Sequence, residues 1–190
     1  IEETNMKPEI SEQEQRLKDK LLPEIETFKQ QRKTLQLATV DTDGQPNASY
    51  APFALADDGF YILVSDLARH GHNLKQSTKV SVMLVEDEVE AKSVFARKRL
   101  TFDAMAQAVA RDTPSFSKGV SLLSKRFGDM SDNLAALTDF NLYKLAPHQG
   151  LYVKGFGQAF TLTGSELLDV NWKRDGHHGT PKTPEDMQVA

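Results

Sequence analysis

Apolar residues recur at helical spacing early in the chain. Leu17, Leu21, Ile25 and Phe28 fall three or four apart, and Ser11 followed by Glu14 has capping-box spacing, which predicts an amphipathic helix to about Lys33. Pro23 inside it predicts a break or kink. Residues 1–10, polar and carrying Pro8, read as a loose, disordered-like terminus. The pattern then switches to alternation. Thr34 to Val40 and Asn47 to Phe53 predict two strands joined by the turn residues Asp41 to Pro46, and Asp57-Asp58-Gly59 predicts another turn before a strand from Phe60 to Val64. Ser65 to Gln76 reads as a short helix and Val80 to Val85 as a buried strand. A long strand is expected from about Val94 to Ala108. Thr113-Pro114 supplies an N-cap and a first-turn proline for a helix with Phe116, Val120, Leu123 and Phe127 on one face, and Gly128 stops it. Strands return at Phe140 to Leu145 and Leu151 to Leu162, separated by a turn at Pro147-His148-Gln149-Gly150. Gly155 and Gly157, inside the last strand, suggest a bulge or bend.

Short antiparallel strands with helices inserted between them predict an α+β β-barrel. Residues 11–163 form its single domain, and the polar, proline- and glycine-bearing stretch 164–190 reads as a tail.

Composition narrows the chemistry. The 190 residues carry no cysteine, which excludes disulfides, Cys-ligated zinc or iron–sulfur centres, thiol catalysis and a thiolate-ligated haem. With 23 Lys+Arg against 27 Asp+Glu, the net charge of −4 argues against a general nucleic-acid binder. No apolar run suggests a membrane span or a signal peptide, so the expectation is a soluble, cytoplasmic protein. There is no Gly-x-Ser-x-Gly elbow, no phosphate-binding glycine loop and no His-Glu-x-x-His.

Five histidines remain as metal ligands. His70 and His72, two apart on a helix, face different ways and suit surface or phosphate contacts. His148 lies in a turn. His177 and His178, in Gly-His-His-Gly, are inert tail residues or else fold over a cavity and ligate a metal or haem iron. Arg97 and Arg99 are expected on one face of the long strand, as edge protection or as an anion clamp. Ser65 with Arg69 one turn on is a second anion site or a plain N-cap beside a solvated arginine.

Several blocks together carry a resemblance. Arg32 to Val40, Ser49-Tyr50-Ala51-Pro52-Phe53 and Ser65-Asp66-Leu67-Ala68-Arg69-His70 resemble the pyridoxamine 5'-phosphate oxidase-like, FMN-binding split barrels. Glu86-Asp87-Glu88, Phe95-Ala96-Arg97-Lys98-Arg99-Leu100-Thr101-Phe102 and Gly150 to Ala159 are similar to the HutZ/HugZ-type haem-utilisation proteins of that superfamily. The resemblance implies a split-barrel homodimer binding haem near the subunit interface. It also implies oxidative opening of the haem ring with iron release, using dioxygen and an electron donor. It places a haem-ligating histidine in the C-terminal segment, best matched by His177 and next by His178. An acidic residue after the second helix would orient that imidazole from across the interface, and Asp132 matches it more closely than Asp129. Arg69, Ser65, His70, Arg97 and Arg99 would contact propionates or another bound anion. The alternatives are an FMN-dependent oxidoreductase and a non-enzymatic haem carrier or storage protein. His70 stands where flavin-using relatives carry a lysine for the cofactor phosphate.

Overall fold

The computed structural model describes residues 11–164, 167 and 169–173. Helix α1 runs from Glu12 to Gln31, and its capping box is formed, with Glu14 N donating to Ser11 Oγ at 3.3 Å and Ser11 N to Glu14 Oε2 at 3.0 Å. The break expected at Pro23 does not occur. An interior proline costs about 3 kcal/mol, but Leu21, Ile25 and Phe28 are buried on either side of it. Each such burial contributes roughly 1.5–3 kcal/mol, so packing outweighs the local penalty.

The strands are β1 (Thr34–Val40), β2 (Pro46–Pro52), β3 (Ala54–Ala56), β4 (Gly59–Ser65), β5 (Lys79–Val85), β6 (Arg99–Val109), β7 (Phe140–Gly155), β8 (Gln158–Thr163) and β9 (Asp169–Trp172). They form one antiparallel sheet in the order β2-β1-β5-β6-β7-β4-β3, with β8 on β7 and β9 on β8. On one side β7 pairs with β6 along most of its length. On the other it pairs with β4 over its first half and β8 over its second, so the sheet forks there. The helices α2 (Arg69–Gln76), α3 (Pro114–Phe127) and α4 (Asp129–Ala136) complete the described chain.

One face of the sheet closes over a core shared with α1, in which Phe53, Phe60 and Phe102 stack in sequence with centroids 5.4 and 5.7 Å apart. A smaller cluster places Leu123 of α3 against Tyr61 and Leu142.

Several boundaries differ from the sequence reading. The turn expected at 147–150 is a bulge: Gln149 pairs with Asp103 and Pro147 with Ala104, so His148 is the extra residue and β7 continues through it. The continuous strand expected over 151–162 is a hairpin instead, because Gly157 adopts φ 68° and turns the chain at Phe156. β6 starts at Arg99, after a single 3₁₀ turn at Val94–Ala96 whose cap is Ser93. α4 was not anticipated. Part of the stretch read as tail is β9, held by buried Val170 and by Trp172 against Phe160.

A buried polar contact joins α1 to β7. Glu24 accepts hydrogen bonds from the fully buried Tyr152 hydroxyl and from Lys154 Nζ, both at 2.8 Å. Burial pushes the Glu24 carboxyl up, but these bonds and the lysine charge outweigh it and hold Glu24 below its ordinary value. A carboxylate depressed in the folded state contributes stability above its unfolded pKa and loses it as pH falls through the folded value. Wild type is therefore expected to lose more urea stability than Glu24→Gln between pH 6 and pH 3. Parallel pH profiles for the two proteins would contradict this.

Candidate functional site

At the head of β7, Ser65 ends β4 opposite Phe140. Ser65 was read as the start of a helix. In the structure α2 begins only at Arg69, with Ala68 as an N-cap that makes no side-chain bond. The Ser65 hydroxyl instead accepts from Leu67 N and donates to Asp139 Oδ2, both at 3.1 Å, closing the turn that delivers α2. Beside it Asp66 accepts from Asn141 at 2.7 Å and pairs with Lys75 at 2.8 Å. Arg69 is exposed and reaches Asp41 at 3.5 Å.

His70 is half-buried, with Nδ1 2.8 Å from Ser49 Oγ. Ser49 donates its single hydroxyl proton to the Leu37 carbonyl at 3.2 Å, so it accepts from Nδ1–H. Burial pushes the His70 pKa below its ordinary value. Burial thus favours the neutral ring, which in this hydrogen-bonding arrangement carries its proton on Nδ1 and its lone pair on Nε2. His72 is exposed on the same helix, and His148 is exposed at the bulge.

The basic triplet Arg97-Lys98-Arg99 lies beside the other end of β7, with Arg99 opposite Val153. Arg97 lies outside the strand and is not turned toward open space. Its Nε donates to the Glu86 carbonyl at 2.9 Å, Nη2 donates to the same oxygen, and Nη1 lies 3.6 Å from Glu88. Arg32 holds the rest of the acidic stretch, 3.3 Å from Glu90 and 3.9 Å from Asp87. Arg97 and the Lys98 backbone thus engage Glu86 and Glu88, whereas Asp87 and Glu90 face Arg32.

Arg99 differs. Its Nη1 donates to the Arg97 carbonyl at 3.3 Å, and it pairs with no carboxylate among the described residues. It lines an open slot of about 430 Å³ with Lys173, the exposed rings of Phe95 and Phe156, and the apolar side chains of Leu151 and Ala159. Gly155 and Gly157 shape the hairpin that presents Phe156. An open slot of mixed polarity, with two cations and two exposed aromatic rings at its walls, suits a flat anion with an apolar face.

Asp132 lies in a third place, exposed in the first turn of α4, with Oδ2 accepting from Ser124 Oγ at 2.6 Å. Asp129 is exposed on the same turn. His177 and His178 lie outside the described residues, as does the stretch 1–10. Within one chain the structure gathers Ser65, Arg69 and His70, and separates them from Arg99 by most of β7. Asp139, Lys173, Phe95 and Phe156 were not singled out from sequence. The two phenylalanines were detectable as aromatics next to turn formers, whereas Asp139 and Lys173 gain meaning only from strand pairing. Among the described residues no group of three His, Asp or Glu is placed to hold a metal ion, and no helix is long and apolar enough to cross a membrane.

A curled antiparallel sheet that forks at its longest strand, with helices flanking it, is a split barrel. Residues 21–154 match the profile of the pyridoxamine 5'-phosphate oxidase family. The curated heme oxygenase HutZ of Vibrio cholerae serotype O1 is 51% identical over 164 residues, covering 86% of this chain and 93% of that protein. The crystal structure of HutZ from Vibrio cholerae, described there as a heme storage protein, superposes with TM-score 0.68 at 54% identity, over 72% of this chain and 96% of that one. Campylobacter jejuni ChuZ gives TM-score 0.77 at 29% identity, over 86% and 67% of the respective chains. The chain belongs to the pyridoxamine 5'-phosphate oxidase-like split-barrel superfamily, in its HutZ/HugZ-type branch.

Proposed function

We propose that this protein binds haem and degrades it oxidatively, with dioxygen and an electron donor, to release iron. The observation that carries the reading is the slot at Arg99. The side chains of Leu151, Val153 and Ala159 and the rings of Phe95 and Phe156 suit the face of a porphyrin, and Arg99 and Lys173 suit its carboxylates. The relatives named heme oxygenase and heme storage protein support the same ligand. Bound haem supplies the iron that activates dioxygen and the ring that is oxidised.

The chain's own residues have four tasks. Arg99 and Lys173 anchor the anionic edge, and Phe95 and Phe156 limit access of water. Lys173 also stands four positions before His177 in the chain. At 3.3–3.6 Å per extended residue, His177 is tethered within about 14 Å of the slot and His178 within about 18 Å. We assign one of them as the iron ligand. Its second ring nitrogen needs an acceptor to fix the tautomer.

Asp132 is the carboxylate assigned from the resemblance, and the geometry adds Asp139. Asp139 is half-buried and uses one oxygen for Ser65, whereas Asp132 is exposed on Ser124. Both lie toward the Phe140 end of β7, so within one chain neither is near the slot.

A second copy resolves that separation. The sheet face opposite the core shows Ser81, Met83 and Val85 on β5, Thr101 on β6, Leu151 on β7 and Thr161 on β8. These are half-buried small or apolar residues, suited to pack against another copy. We assign this face to a homodimer that sets the head of β7 of one copy near the slot of the other.

Titration of the pure protein with hemin is expected to give a shifted, saturable Soret band, and adding ascorbate in air should bleach it. A Soret band that forms but persists with ascorbate would favour haem storage instead. No shift at all, with yellow protein releasing FMN on denaturation, would favour the flavin reading.

A further inference from the structure

Beneath α1, away from every residue assigned above, lies a cavity of about 500 Å³. Leu22, Ile25, Phe60, Phe102 and Leu162 form its apolar walls. Two prolines inside regular elements and two residues of unusual backbone conformation converge on it from separate segments. Pro23 interrupts the hydrogen bonding of α1, and Pro147 stands beside the bulge of β7. Gly59 turns so close to the Leu145 carbonyl that a Cβ would collide with it. Leu167 has φ 57°, a conformation that side-chain-bearing residues rarely adopt. Chains break local rules chiefly at functional or strained sites, and here the breaks share one hole. Its volume lies within the roughly 300–1,000 Å³ of small-molecule sites.

Charged groups are confined to its mouth: Glu26, Lys29, Asp57 and Asp58. Lys29 lies 2.7 Å from Glu26, and Lys144 pairs with Asp58, so these charges cancel in pairs. Asp57 has no hydrogen-bond or ion-pair partner among the described residues, and it leaves a net negative charge above an apolar well.

We propose that this cavity binds a small amphiphilic monocation, an apolar chain or ring bearing one primary amine, with the ammonium on Asp57. The proposal is independent of the haem reading, because no residue is shared between the cavity and the slot at Arg99.

The test uses the intact chain and a neutral apolar dye, N-phenyl-1-naphthylamine, displaced by octylamine, 1-octanol or octanoate at pH 7. Saturable one-to-one dye uptake is expected, with octylamine displacing it at about fivefold lower concentration than octanol, the scale of one exposed ion pair. Octanoate should be weaker than both. Asp57→Asn should leave dye uptake unchanged and bring octylamine level with octanol. Ala56→Phe, which narrows the mouth, should reduce dye uptake while the circular dichroism spectrum is retained. Should Ala56→Phe fail to fold, Asp57→Asn alone decides. No saturable uptake by wild type, octanoate equal to octylamine, or full amine preference in Asp57→Asn would overturn the proposal.

Discussion

A His177→Ala/His178→Ala double variant is expected to lose ascorbate-driven haem bleaching by more than about a hundredfold, while its thermal unfolding is unchanged. The size follows from what the residues would do. Removing a group that merely orients a metal-bound histidine costs about 10–100-fold in affinity or activity, so removing the ligand itself should exceed that range. The absence of cysteine leaves imidazole and oxygen donors for haem iron, and of the described histidines His72 and His148 are exposed and neither lines the slot at Arg99. The single variants then divide the assignment, since one should behave as wild type and the other as the double. Asp132→Asn and Asp139→Asn extend the series. The variant that removes the orienting acceptor should keep the Soret band but weaken and shift it, and the other should not. A double variant that binds and bleaches haem like wild type would remove both tail histidines from consideration. His70 would then be the next candidate, because its Nδ1–H is directed at Ser49 and its Nε2 has no hydrogen-bond partner among the described residues.

What the sequence disclosed follows from the range of the interactions involved. Helical spacing, alternation and a capping box are local, and they located α1, α3, β1, β2, β4 and β5 to within a few residues. The errors lie where distant partners decide. Pro147 and His148 look like a turn, but β6 supplies a long pairing partner that absorbs one extra residue as a bulge. Gly155-Phe156-Gly157 suggests a bulge or bend within one strand and is instead the reversal between two strands that builds the slot. Arg97 and Arg99 are indistinguishable by spacing. Only the fold shows that Glu86 and Glu88 engage the first and leave the second facing a cavity. Similarly, Ser65 has the residue type of a helix cap, and its contact with Asp139, 74 positions away, could not be read from the chain. The resemblance reached further than periodicity because it draws on several blocks at once. It correctly implied the split barrel, and it left the roles of single residues to be tested.

Arg126→Ala is expected to destabilise the fold by about 2–4 kcal/mol, the largest effect foreseen for a residue outside the proposed site. Arg126 lies in the last turn of α3, where sequence alone suggests a solvated cation favourable to the helix dipole. In the structure its guanidinium is a three-way clasp. It donates to the carbonyls of Phe53 at 3.1 Å and Gln30 at 2.9 Å and to that of Arg32, while lying 4.6 Å from the Phe53 ring centroid. Gln30 lies in the last turn of α1, and Arg32 leads into β1, so their carbonyls lack helical partners and need a donor from elsewhere. Three otherwise independent pieces (the end of α1, the start of β3 and α3) therefore meet on one side chain. Hydrogen bonds to a charged donor contribute about 1.5–3 kcal/mol each, and alanine would leave three acceptors to compete for water at a half-buried site. The fan of donors also distinguishes arginine from lysine. Arg126→Lys should recover less than half of the loss, because an ammonium reaches one or two carbonyls and not all three. Urea denaturation checks both variants through a lower midpoint at an unchanged slope. If lysine restores full stability, the charge near Phe53 matters and the clasp does not. If alanine has no effect, α1 and α3 hold their places by apolar packing alone.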